Sequence, residues 1–111
     1  MKILVCGGRD FTSYELIKKT LDSYKGRATH IIHGGARGVD SLAGKWALEN
    51  FPIQEVICPA NWQYGRGAGS VRNRKMAELG PDLIIAFPGG AGTQSMKRIG
   101  TELKITVLSI G

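Results

Sequence analysis

The chain has 111 residues and carries a net charge of +6, from 15 Lys and Arg against 9 Asp and Glu. Its length fits a single domain, residues 1–111, able to bury a core without metal or disulfide support. Apolar content of 42% and charged content of 22% are those of a soluble globule, no apolar run approaches the ~20 residues that span a bilayer, and the basic balance favours an anionic partner.

The first apolar run, Lys2 to Cys6, reads as a short strand. It runs straight into a glycine turn, which excludes a signal peptide and fits a cytoplasmic protein. Thr12 or Ser13 is placed to cap a helix, with Leu16, Ile17, Leu21 and Tyr24 on one stripe and Gly26 as its stop. ATHIIH is a second strand. Gly38 to Asn50 carries Val39, Leu42, Ala43, Trp46 and Ala47 at helical spacing, and Pro52 follows its end. IQEVIC is a third strand, and PANWQYGRGAG reads as a loop. SVRNRKMAEL is a short helix closed by Gly80 and Pro81. DLIIAF is the fourth strand, PGGAGT opens a final helix to about Arg98, and KITVLSI is the fifth strand. Alternation of strands with helices predicts βαβ units and an α/β fold of three layers: a mainly parallel five-stranded sheet with helices on both faces. Cys6 and Cys58 both end apolar runs and read as buried, reduced thiols.

Three of the four leading strands end in glycine: CGGRDF, HGGARGVD and FPGGAGT. In a parallel sheet these loops share the carboxyl edge, where ligands bind at the point of strand-order reversal. Glycine allows close approach to the main chain, and a helix N-terminus offers free N–H groups to an anion. Gly7, Gly8, Gly34, Gly35, Gly38, Gly89, Gly90, Gly92 and Thr93 are therefore candidate phosphate and ribose contacts. Arg9 and Arg37 lie in two of the loops, and Arg66, Arg72 and Arg74 surround the third helix. Guanidinium binds phosphate in a two-pronged geometry. For Arg66 and Arg74 a solvated surface role weighs equally. Asp40 opens a helix: it serves either the helix dipole and loop amides or a ligand hydroxyl. Trp62 and Tyr64 either stack on a base or pack on the third strand. His33 reads as structural, and Trp46, Met76 and Met96 as packing residues. There is neither GxGxxG nor GxxxxGK[ST]. No His, Cys, Asp or Glu set has metal-ligand spacing, so no metal or required cofactor is expected.

GGRDF, HGGARGVDSLAGKWA, PANW with GRGAGSVRNRKM, and IAFPGGAGTQSM together resemble the SLOG superfamily, in its YspA-like, cpYpsA-related branch. These are small Rossmann-like proteins of bacteria and phages. The resemblance covers nearly the whole chain. It implies a strand order near 3-2-1-4-5, a nucleotide or nucleotide-derived ligand over the carboxyl ends, and a homodimer. GARGVD and RNR are also similar to the DNA-processing protein DprA. PGGAGT and an upstream arginine, matched here by Arg72, are similar to LOG phosphoribohydrolases. Those enzymes carry PGGxGTxxE, and the glutamate's place is taken here by Met96. Methionine transfers no proton, and acid–base help is typically worth 10²–10⁴-fold.

Three functions compete. The first is binding or sensing of a nucleotide-type ligand, with Asp40 and Trp62 on sugar or base and Arg72 and Asn73 contributed by the third helix. The second is a nucleotide N-glycosidase or related hydrolase with Asp40 replacing the missing glutamate. The third is DprA-like nucleic-acid binding. The expectation leans away from catalysis and toward the pocket.

Overall fold

Five apolar runs form five strands, as their near-continuous hydrophobicity predicts for a sheet covered on both faces. The computed structural model describes the backbone of residues 1–111 and every side chain except those of Trp62, Tyr64 and Arg66. The strands are β1 (Lys2–Cys6), β2 (His30–His33), β3 (Gln54–Ile57), β4 (Leu83–Ala86) and β5 (Thr106–Ser109). They lie in the order β3-β2-β1-β4-β5 and every neighbouring pair is parallel. The chain builds outward from β1 to β3, then crosses to β4 on the other side of β1. Cys6 pairs with Ala86, so the loops leaving β1 and β4 start side by side at the reversal point.

Successive strand residues face opposite sides, and this divides the core in two. Ile3, Val5, Ile31, Leu83 and Ile85 face α1 (Tyr14–Asp22) and α2 (Val39–Glu49), meeting Ile17, Leu21, Val39, Ala43, Trp46 and Ala47. Leu4, Cys6, Ile32, Ile84 and Ala86 face α3 (Ala68–Ala77) and α4 (Ala91–Glu102), meeting Met76, Ala77, Met96 and Ile99. Trp46 is fully buried and its indole N–H donates to Asp22 Oδ1 at 2.8 Å. No helix is long and apolar enough to cross a membrane.

Two boundaries differ from the sequence expectation. The PANWQYGRGAG loop contains a 3-10 segment, Trp62–Gly67, broken at Gly65 (φ +74°), and α3 begins at Ala68. The fourth helix runs past Arg98 to Glu102. Gly100 makes this extension fit, because its bare Cα lets α4 lie close against Ile84 and Val107.

Candidate functional site

Two residues show why the loops need glycine. Gly38 adopts φ +80°, and a Cβ there would run into the carbonyl of Gly8. Gly34 has no room for a side chain because the Arg72 guanidinium occupies that space. These close approaches stitch the loops together. The Gly8 N–H donates to Pro88 O at 2.8 Å, and Val39 N–H donates to Gly8 O at 3.2 Å. Gly7 packs on Val39, and Gly89 packs on Thr93. Gly90 and Gly92 behave differently: nothing lies within 4 Å of where their Cβ atoms would be.

A polar chain then ties the second loop to the start of α4. Asp40 is 7% exposed, and its Oδ2 accepts from Gly34 N–H (3.1 Å) and Ala36 N–H (3.2 Å). Arg72 Nη1 donates to Gly34 O at 3.0 Å, and its Nε donates to Asn73 Oδ1 at 2.9 Å. Asn73 Nδ2 in turn donates to Gly92 O at 3.2 Å. Burial pushes the Asp40 carboxyl above its ordinary range; the Ala36 and Gly34 amides, His33 and Arg72 pull the other way without cancelling it. No buried side-chain polar atom lacks a partner among the described residues. Asp40 Oδ1, which makes none of these bonds, therefore retains accessible surface.

The helix ends are not equivalent. Ser13 caps α1 through its side chain, so that end is closed. At α2, Val39 N–H is taken by Gly8 O, and the Asp40 carboxylate stands in the first turn. At α4 the cap is Gly90, with no side-chain hydrogen bond. Ala91, Gly92 and Thr93 N–H have no acceptor among the described residues, and a helix N-terminus in that state is an anion site. Thr93 is 4% exposed, and its hydroxyl has no hydrogen-bond partner among the described residues.

These groups surround a groove over the carboxyl edge. One hollow of about 360 Å³ is lined by Cys6, Gly7, Gly8, Arg9, Ala36, Asp40, Arg72, Asn73, Met76, Gly90, Ala91, Gly92 and Thr93. A second of about 310 Å³ is lined by Arg9, Gly34, Gly35, Ala36, Arg37, Pro59, Ala60 and Arg72. Burial, with Asp40 adding to it, pushes the Cys6 thiol up to about 12, so it forms a neutral floor rather than a nucleophile.

Of the fifteen residues singled out in the sequence, twelve line the two hollows; Gly38 and Gly89 lie behind them as packing glycines, and Trp62 falls outside the described side chains.

 The twelve are Gly7, Gly8, Arg9, Gly34, Gly35, Arg37, Asp40, Arg72, Asn73, Gly90, Gly92 and Thr93. Tyr64 and Arg66 likewise lie outside the described side chains. Arg74 lies away from the groove and pairs with Glu102 at 3.0 Å on the surface. His33 is 2% exposed and accepts the Gly35 N–H on Nδ1 while Nε2 meets Glu55 at 2.6 Å, a structural placement. Met96 is buried against the sheet and does not line either hollow. Sequence reasoning missed six lining residues: Cys6, Ala36, Met76, Ala91, Pro59 and Ala60. The signal for Pro59 and Ala60 was position alone: they follow β3 at the same carboxyl edge. Among the described residues, no group of three or more His, Cys, Asp or Glu is placed to hold a metal ion.

Comparison with known proteins agrees with this architecture. A family model described as the YspA, cpYpsA-related SLOG family matches residues 1–65. Gene 61 protein of Mycobacterium phage D29 is 31% identical over an alignment of 120 positions, which spans 99% of this chain and 96% of the phage protein. On these two matches, the chain belongs to the YspA, cpYpsA-related SLOG family.

Proposed function

We propose that the protein binds a nucleotide or nucleotide-derived ribose phosphate over the carboxyl edge of its sheet, with sensing or sequestration as the output. One observation carries this reading: the uncapped N-terminus of α4 and the Thr93 hydroxyl face an open hollow that Arg9 and Arg72 also line. Phosphate satisfies all of these groups at once. The Asp40 Oδ1 in the same hollow suits a ribose hydroxyl, an acceptor for a donor.

Catalysis is not part of the proposal. Position 96 packs into the core, so this helix offers no carboxylate where LOG enzymes carry theirs. Asp40 already holds two loop amides.

Purified protein should be denatured and any released ultraviolet-absorbing compound identified by mass spectrometry. Empty protein should then be melted with nucleoside monophosphates. A bound nucleotide at about 100 times its dissociation constant adds about 2.7 kcal/mol and raises Tm. No released compound and no shift with any nucleotide would remove this reading.

A further inference from the structure

The groove is two hollows that differ in chemistry. The inner one holds the α4 amides, Thr93 and Asp40 over a floor of Cys6 and Met76. The outer one is lined by Arg9, Arg37 and Arg72 over Pro59 and Ala60, and no carboxylate lines it. The only described anionic partner of Arg37 is Asp10, and the two side chains are 75% and 92% exposed. An ion pair that open is weak and yields readily to a phosphate, which guanidinium grips at two points. Arg72 stands between the hollows and lines both. Its Nη1 and Nε are committed to Gly34 and Asn73.

Building on the nucleotide reading above, we propose that the ligand carries two separated phosphoryl groups. One sits on the α4 amides and Thr93, the other on Arg9 and Arg37, and the sugar passes Arg72 with a hydroxyl on Asp40 Oδ1. The inner hollow does not rest on a helix end alone, because Thr93, nearly buried and with no described partner for its hydroxyl, lines it as well. A mononucleotide phosphate in the inner hollow leaves Arg9 and Arg37 at the outer one with the exposed Asp10 as the one described anion. A second phosphoryl group supplies the charge that this weak pair does not. A nucleoside 3′,5′-bisphosphate and a 5′-phosphorylated dinucleotide share this chemistry.

The test is calorimetric titration of the full chain at one ionic strength. The probes are nucleoside 5′-monophosphates, 3′,5′-bisphosphates and 5′-phosphorylated dinucleotides of all four bases. At least one doubly phosphorylated probe should bind about tenfold or more tighter than its monophosphate, the size of one added charge-assisted contact. Which class gains more distinguishes the two sources. Arg37→Ala should cost that probe about fivefold more affinity than it costs the monophosphate. Thr93→Val should weaken both by similar factors. Equal affinities, or equal losses in Arg37→Ala, overturn the two-phosphate inference and leave the nucleotide reading standing. Binding of no probe at all overturns both.

Discussion

Asp40 fills one of the two roles that the sequence left as alternatives and stays placed for the other. Its Oδ2 holds the Gly34 and Ala36 amides, which shapes the second loop, and the residue also lines the hollow. Two substitutions separate these roles. Asp40→Ala strands two amides and should cost about 2 kcal/mol, roughly 10 °C of Tm for a domain this small. Asp40→Asn keeps a carbonyl oxygen for the amides and should melt close to the parent at acid pH and no lower than it near neutral pH, yet bind ligand more weakly. The pH dependence has a definite sign. Burial raises the Asp40 carboxyl above its ordinary 3.8, so the folded state holds the proton more tightly than the unfolded chain. Its contribution to stability is full below that ordinary value and fades as pH rises through the folded-state value. The stability of the parent relative to Asp40→Asn should therefore fall as pH rises from about 4 upward. Urea melts of both proteins across pH read this directly, and a flat difference would mean that the carboxyl is not raised.

At the scale of elements, α4 shows how an open helix end differs from a capped one. Gly92 lies in its first turn with open space before its Cα. Alanine is better than glycine inside a helix by about 0.5–1 kcal/mol, so Gly92→Ala should raise Tm by a few degrees. The added methyl group projects into the hollow and should weaken nucleotide binding. Melting and titration of one variant check both halves, and tighter binding would place the ligand elsewhere. Layers and glycine loops were legible because strand periodicity and turn residues are local signals, whereas the strand order came from the family resemblance alone. The difference between the helix ends was not. All three loops read as glycine-rich anion sites, but Gly8 O meets the first amide of α2 and Ser13 caps α1, and of these three helices α4 alone has neither closure among the described residues. Those closures come from residues that meet only after the sheet forms. The same holds for Gly34 against Arg72, a contact between residues 38 positions apart. Arg74 was ambiguous in sequence for a related reason: helical phase turns it toward Glu102 rather than the groove.

For the whole molecule the question is what a net charge of +6 serves. Some of the basic surface is already engaged, on both layers. Lys18 pairs with Asp22 and Lys45 lies over the Tyr14 ring on the α1–α2 side. Arg74 pairs with Glu102 on the α3–α4 side. Arg9, Arg37 and Arg72 instead gather at one groove. A protein that tracks a nucleic-acid strand needs a continuous row of cations, because each phosphate it neutralises releases counterions. For single strands the slope of log K against log salt is about −0.7 per phosphate contacted. A groove that takes two phosphoryl groups should therefore give a slope no steeper than about −1.5 with its small ligand. A 20-nucleotide single strand should bind with no steeper dependence, because only its end or one short stretch can enter. Fluorescence anisotropy from low to moderate salt measures both slopes on the same protein. A slope of about −4 or steeper for the strand means six or more phosphates in contact. That many contacts cannot fit in hollows of about 310 and 360 Å³, and they would transfer the function from the groove to the outer surface.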